Sequence, residues 1–311
     1  MRKLVILALV GLVAQLVDGS LGMAYGVTSA TLLLAVGVAP AASSAAVHMA
    51  EIGTTLASGA AHWRFGNVDW RVVARIALPG AVGAFAGATF LSSLSTEVAA
   101  PWMAGILGVL GIYLLVRFAF RPIRASQPSA APPRRRFLAP LGVFAGFVDA
   151  TGGGGWGPVA TPSLLASGRM EPRKVVGSVD TSEFVVSVAA SIGFVIGLGT
   201  AGIYWSFVVA LLIGGLIAAP LAAWLVRLVP GPILGASVGG IVLLTNAKTL
   251  LEAIGIPGSM HLAAYTLIAA AWAFSLALAG KHMKQERARK AAEQDAKTDD
   301  LADVRSLPEP R

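Results

Sequence analysis

Eleven apolar blocks follow one another in this chain, at residues 4–17, 25–38, 40–63, 68–90, 101–120, 137–148, 156–167, 172–196, 203–226, 232–253 and 262–279, and this succession restricts the fold more than any motif does. A helix needs about 20 residues to cross the hydrocarbon of a bilayer. Five blocks comfortably reach that length and 101–120 and 262–279 come close, whereas the pairs flanking residues 18–24 and 149–155 fall well short. Pro40, Pro101, Pro172 and Pro232 each stand at the start of a block, where a helix tolerates a residue without an N–H. With 56% hydrophobic residues, 13% charged residues and a mean hydropathy of +0.74, the chain has far too little polar surface to cover a soluble globule. The expected fold class is an all-α integral membrane protein.

The short blocks meet at a loop that occurs twice. Asp149-Ala150-Thr151-Gly152-Gly153-Gly154-Gly155-Trp156-Gly157-Pro158 aligns without a gap on Asp18-Gly19-Ser20-Leu21-Gly22-Met23-Ala24-Tyr25-Gly26, placing Asp18 on Asp149, Ser20 on Thr151 and Tyr25 on Trp156. The alignment continues downstream, with Ala46-Val47-His48-Met49-Ala50-Glu51 over Ser178-Val179-Asp180-Thr181-Ser182-Glu183 and Val68-Asp69-Trp70 over Ile203-Tyr204-Trp205. Blocks one to five therefore repeat as blocks six to ten. The chain divides into a first transmembrane repeat (1–120), a Pro, Ala and Arg-rich linker (121–136), a second repeat (137–254), an extra transmembrane helix (255–280) and a charged tail (281–311), the tail being either disordered or a frayed helical extension.

Arg and Lys set the orientation. They populate the segments around Arg64 to Arg75, Arg117 to Arg136, Arg169 to Lys174, Arg227 and the tail from Lys281, and are absent from 92–100, 197–202 and 255–259. Basic loops belong in the cytoplasm. This works throughout only if each pair of short blocks enters and returns on one side while the three longer blocks of each unit cross, which turns the second unit upside down relative to the first. Arg2 and Lys3 dissent, but two residues at a free terminus weigh less than five consistent loops. The net charge of +8 is explained by these loops, so nucleic acid is set aside as a partner. The absence of cysteine excludes thiolate metal sites, iron–sulfur clusters and disulfides.

Over roughly residues 4–254 the chain resembles the sulfite exporter TauE/SafE family, most specifically in the Gly-Gly-Gly-Gly-Trp-Gly-Pro run and in Gly177-Ser178-Val179-Asp180-Thr181-Ser182-Glu183-Phe184. The resemblance implies a multi-pass protein of the bacterial inner membrane that carries sulfur-containing or related small organic anions, mostly outward. The first repeat departs from the pattern: Met23 and Ala24 replace glycines and no proline follows Gly26.

Inverted repeats with broken helices bring irregular backbone to mid-membrane, where it is tolerated only if it is buried in protein or lines a cavity. If each short pair is a hairpin entering from opposite faces, the N-termini of 25–38 and 156–167 point at each other with unpaired N–H groups and positive dipole ends, which suit an anion. The expected substrate contacts are Ser20, Tyr25, Thr151, Gly152, Gly153, Gly154, Gly155 and Trp156, with His48, Asn246 and Lys248. Ser20 and Thr151 are expected to cap the second helix or donate to an oxyanion. The alternative is that the glycines only permit close helix crossing, as in Gly83-Ala84-Phe85-Ala86-Gly87. Lys248 either contacts the anion or snorkels to the surface.

His48 with Glu51 and Asp180 with Glu183 form pairs at i, i+3, each about 12–18 Å into a 30 Å core. Such groups face a cavity or a partner. Asp18, Asp149, Glu51, Asp180 and Glu183 are assigned to proton coupling or to structural pairing, and the excess of acids is a poor balance for an anion unless several are protonated or capped. The substrate is otherwise a cation or carboxylate. A membrane-embedded metalloenzyme is a third reading, disfavoured because the order is His-x-x-Glu and Asp-x-x-Glu and no nucleophile is evident. A static channel is a fourth, against which the inverted repeat argues. No metal or other cofactor is expected; the partners are a small anion, the lipid bilayer and, as an open option, a second copy in a homodimer.

Overall fold

A computed structural model describes residues 2–21, 23–120, 133–225 and 231–306, and side chains within these outside 2–3, 19–22, 219–231 and most of the stretch beyond 285. Every described segment of length is helical. The order is α1 (Arg2–Leu21), α2 (Tyr25–Ala35), α3 (Pro40–Arg64), α4 (Trp70–Ser93), α5 (Thr96–Phe120), α6 (Arg135–Gly152), α7 (Trp156–Ala166), α8 (Pro172–Leu198), α9 (Trp205–Leu225), α10 (Gly231–Ala253) and α11 (His261–Ser306), with single 3₁₀ turns at Thr200–Gly202 and Gly258–Met260. Among the described residues five stretches are long and apolar enough to cross a membrane, namely Trp70–Ser93, Thr96–Phe120, Pro172–Leu198, Pro232–Ala253 and Gly258–Gln285. α3 is as long, at 25 residues, but carries His48, Glu51 and a row of small polar residues.

Local chemistry accounts for most boundaries. Pro40 and Pro172 open α3 and α8. Asp69 caps α4, its Oδ1 accepting from the N–H groups of Arg71 (3.0 Å) and Val72 (3.3 Å). Pro101 is a correction: it lies inside α5, which begins at Thr96 with Glu97 in its first turn, so the expected loop at 92–100 is reduced to a tight link. The helices before the glycine breaks are also longer than their apolar blocks, α1 running to Leu21 and α6 to Gly152, while α2 and α7 keep 11 residues each. At 1.5 Å per residue α2 and α7 reach only about 16 Å, half the hydrocarbon. Beyond the expected extra helix, α11 continues unbroken through the tail to Ser306. The linker at 121–132 and residues 307–311 lie outside the described residues.

Helix pairing has a regular form. α4 packs on α6 as α9 packs on α1; α4 packs on α8 as α9 packs on α3; α3 meets α8, and α5 meets α10. Exchanging the first five helices for the second five turns this set into itself. The self-paired helices run antiparallel. In α3 and α8, Glu51 faces Ser187 while Ser58 faces Asp180; in α5 and α10, Gly111 faces Val242 while Phe118 faces Gly235. The apolar side chains form two cores that cut across the sequence units. One gathers Leu7, Val10, Val27, Leu33, Leu107, Leu114, Leu211 and Val242 from α1, α2, α5, α9 and α10. The other gathers Ile76, Leu91, Leu138, Trp156, Leu164, Val186 and Phe194 from α4, α6, α7 and α8. Thus α4 belongs by packing with the second unit and α9 with the first.

Close crossings use glycine. A Cβ on Gly83 or Gly146 would collide with the backbone of Val143 or Gly80 across the α4–α6 contact, and one on Gly11 or Gly214 with that of Leu211 or Ala8 across α1–α9.

Candidate functional site at the two helix breaks

The break between α1 and α2 includes Met23 and Ala24, and that between α6 and α7 is residues 153–155. Each is bridged by an aspartate from the last turns of the first helix. Asp149 Oδ1 accepts from the N–H of Trp156 (3.0 Å) and Asp18 Oδ1 from the N–H of Tyr25 (3.2 Å). These carboxylates cap the second helix from seven residues upstream. Thr151 does not cap: it lies inside α6 and its hydroxyl donates to Phe147 O at 2.7 Å, because the helix runs on past it. Its matched residue, Ser20, has no described side chain.

The two breaks touch. A Cβ on Gly154 would collide with the backbone of Gly26 and Val27, and one on Gly157 would stand 3.0 Å from the Met23 Cβ. The other glycines of the run face protein as well, Gly152 toward Ile106, Gly153 toward Met103 and Ala30, and Gly155 toward Val148. Gly153 and Gly154 have φ of +71° and +154°, and Ala24, the residue matched to Gly155, has φ +96° without being glycine.

Tyr25 and Trp156 anchor the short helices. The Trp156 ring, fully buried, lies over Gly80 of α4, and its Nε1 donates to Val179 O (3.0 Å) and Ser182 Oγ (3.2 Å) on α8. The Tyr25 ring lies over Gly215 of α9, and its hydroxyl donates to Leu211 O at 3.4 Å. Gly80 and Gly215 occupy matched positions of the repeat, so the two anchors are one arrangement used twice.

A cluster of ionisable groups surrounds the touching breaks. His48 is wholly buried, with Nδ1 2.8 Å from Ser44 O and Nε2 3.1 Å from Asp149 Oδ2. A carbonyl only accepts, so Nδ1 carries a hydrogen; Nε2 and the Asp149 carboxyl then hold one proton between them, on ring or carboxyl, and the pair is neutral as a unit. Ser44 is itself fixed by donating to Ala150 O at 2.6 Å, and the imidazole sits 6.0 Å from the Phe194 ring. Glu51, 2% exposed, accepts from Ser187 Oγ (3.3 Å) through Oε2, while its Oε1 has no hydrogen-bond partner among the described residues and lies beside Gly26. Asp18, His48 and Asp149 are within electrostatic range of Glu51, and Glu183 is within range of Asp18, Glu51, Asp149 and Asp180. Asp180 is half-buried and accepts Ser58 Oγ at 2.8 and 2.7 Å.

Other expected contacts lie elsewhere. Asn246 is buried but donates to Val242 O (2.9 Å) and Thr31 Oγ1 (3.3 Å), tying α10 to α2. Lys248 is exposed, its Nζ 3.9 Å from Glu252 Oε1 on the next turn of α10. Among the described residues His48 is the one buried basic side chain, and no three His, Asp or Glu side chains converge to hold a metal. Sequence reasoning missed the hydroxyls: Ser44, Ser58, Ser182 and Ser187 hold the ionisable and aromatic groups, and the buried Thr28, Ser43 and Thr161 hydroxyls have no hydrogen-bond partner among the described residues. Their signal was present as Thr28-Ser29-Ala30-Thr31 and Ser43-Ser44 inside apolar blocks.

Comparison with known proteins places the chain in a family. The chain is 52% identical over 272 residues to the "Probable membrane transporter protein YtnM" of Bacillus subtilis (strain 168), covering 88% of this chain and 91% of that one. It is 24% identical over 239 residues to the "Probable membrane transporter protein YdhB" of the same organism, covering 76% of this chain and 95% of that one. No solved structure gives a significant match. The model of the family described as "Sulfite exporter TauE/SafE" matches residues 7–249, and this chain, a multi-pass membrane protein, belongs to that family.

Proposed function

We propose that this protein is a secondary transporter that exports a small sulfur-containing or organic anion, such as sulfite or a sulfonate, by alternating access in the bacterial inner membrane, with the 121–136 linker and the C-terminus in the cytoplasm. One observation carries the reading: the matched helices α3 and α8 run antiparallel and hold two matched helix breaks in direct contact. Two copies of a unit related by an axis in the membrane plane pair in this antiparallel way, and such inverted repeats bind substrate where their broken helices meet. The family and the relatives' printed names support transport. Because His48 is engaged by Asp149, the anion is held by neutral donors, the Thr28, Ser43 and Thr161 hydroxyls and backbone N–H groups being those to hand.

A second reading, a proton-coupled transporter of a carboxylate or a cation, draws on the acids Asp18, Glu51, Asp149, Asp180 and Glu183. Export of a monovalent anion needs no coupling ion, since 100 mV favours its exit by about 2.3 kcal/mol. Purified protein in vesicles, assayed for counterflow over sulfite, sulfonates, thiosulfate and carboxylates, tests both. Saturable counterflow of a sulfur anion that follows voltage alone is expected. Flux that moves protons, and loses its pH dependence in Glu51→Gln or Glu183→Gln, selects the second reading; flux of neither kind removes the transport proposal.

A further inference from the structure

The two breaks meet in front of Gly26. The place where a Cβ would stand on that residue is 2.6 Å from Gly154 Cα, 2.9 Å from Gly153 O and 3.0 Å from Glu51 Oε1. Glu51 thus reaches from α3 into the joint between the breaks. It is 2% exposed, and its Oε1 has no hydrogen-bond partner among the described residues. In the first turn of α2 the Tyr25 N–H goes to Asp18 and the Thr28 N–H to Ala24 O, which leaves Gly26 and Val27 with N–H groups that the helix itself does not satisfy. An unpartnered carboxyl oxygen and the open end of an 11-residue helix therefore share one joint.

The geometry points to Glu51 as a substrate-binding residue that acts as a neutral acid: its Oε1–H donates to a sulfonate-type oxyanion held at the N-terminus of α2 once the two breaks part. This rests on the transport reading given above. An ionised carboxylate here would be held by one hydroxyl, Ser187 Oγ at 3.3 Å, and burying a charge inside a membrane protein with so little compensation is costly. No nearby cation offsets that cost. His48, one turn earlier on α3, is engaged by Asp149 of α6 at 3.1 Å. The other ionisable groups within electrostatic range of Glu51 are Asp18 of α1, Asp149 itself and Glu183 of α8, all acids, and the Tyr25 phenol of α2. The carboxyl therefore keeps its hydrogen. Ser187 donates to Oε2, which makes Oε2 the carbonyl oxygen and puts the hydrogen on Oε1, the oxygen that faces the joint.

A buried O–H without an acceptor is itself destabilising, and an oxyanion supplies the acceptor. The hydrogen bond so formed is charge-assisted and stronger than one between neutral groups. A sulfonate is the anion of a strong acid and a far weaker base than a carboxylate, so the hydrogen remains on Glu51 and no proton leaves with the ligand. A carboxylate ligand, as basic as Glu51, would compete for that hydrogen. The joint thus favours the sulfonate class, and Glu51 adds a donor to the neutral hydroxyls Thr28, Ser43 and Thr161.

Binding of methanesulfonate to the purified protein in mixed micelles, measured by titration calorimetry at pH 6 and pH 9, tests the assignment; the probe is a monovalent anion at both. Glu51→Met replaces the donor with an apolar side chain of similar length, and affinity at pH 6 falls by about tenfold or more, the scale of one hydrogen bond to a charged group. Glu51→Gln keeps an N–H donor, stays within about threefold of the wild type at pH 6 and binds equally at pH 9. The wild type weakens at pH 9 toward the Met variant as the carboxyl ionises. This response needs no variant, so the assignment stays testable if Glu51→Met does not fold. A Met variant that binds as tightly as the wild type, a Gln variant as weak as the Met variant, or one and the same pH response in wild type and Gln variant overturns it. A wild type that binds neither methanesulfonate nor sulfite at either pH sinks the anion reading and this assignment with it, whereas binding that ignores Glu51 sinks this assignment alone.

Discussion

Replacing Asp149 with Ala tests whether the second break is held by one side chain acting in two directions. Asp149 is wholly buried; its Oδ1 takes the Trp156 N–H and its Oδ2 takes His48. Truncation leaves His48 Nε2 and the first N–H of α7 without partners in the interior, and breaking a buried pair of this kind costs about 3–5 kcal/mol. Asp18→Ala removes the matched cap alone, from a half-buried site, and costs about 1 kcal/mol. The gap of about 2 kcal/mol or more is upwards of tenfold in the unfolding equilibrium. Asp149→Asn separates geometry from charge. Its carbonyl oxygen still accepts from Trp156 and its amide donates to Nε2 of an imidazole that keeps its hydrogen on Nδ1, so the loss is about 1 kcal/mol, the scale of one hydrogen bond. Reversible unfolding of the purified protein in mixed micelles, followed by tryptophan fluorescence, measures all three. Equal losses in Asp149→Ala and Asp18→Ala, or an Asn variant as damaged as the Ala variant, would refute the two-way role.

The other predictions are shorter. Gly154→Val should separate the two breaks and abolish transport, because its side chain would enter the backbone of Gly26 and Val27, whereas Met23→Val at the matched position should retain most activity in the same flux assay. Ala24→Gly should stabilise the protein by about 1 kcal/mol in the micelle assay, since Ala at φ +96° is held in a region that favours glycine. A single cysteine at position 128 should resist an impermeant thiol reagent added outside intact cells; labelling there would contradict the cytoplasmic linker.

The fold class was legible because block length and composition leave few choices, and the repeat because Asp18, Tyr25, Glu51 and Trp70 recur in register as Asp149, Trp156, Glu183 and Trp205. What escaped was the extent of helix around the breaks. Glycines mark where a chain can turn, but α6 runs through Asp149, Thr151 and Gly152 before it does so, and only then is an aspartate seven residues upstream within reach of the next helix. A cap is ordinarily sought next to the helix it serves, which is why Thr151 and Ser20 drew the assignment that Asp149 and Asp18 fill. Pro101 misled for another reason: it is the sixth residue of α5, where the helix continues through it at the loss of one backbone hydrogen bond. The His48–Asp149 pair spans 101 residues of sequence, and periodicity carries no information at that range.

The repeat also shows which parts of the unit geometry constrains and which it leaves open to chemistry. The aspartate caps, the aromatic anchors over Gly80 and Gly215 and the glycine contacts serve the same backbone in both copies. At the matched positions of His48 and Asp180, by contrast, one copy carries a base and the other an acid. Packing does not require that difference, because both side chains find hydroxyl or carbonyl partners on α3. Their partners do distinguish them: His48 meets the Asp149 carboxyl at 3.1 Å, whereas Asp180 accepts from the Ser58 hydroxyl. Two halves built on one plan therefore carry different chemistry at a single matched position.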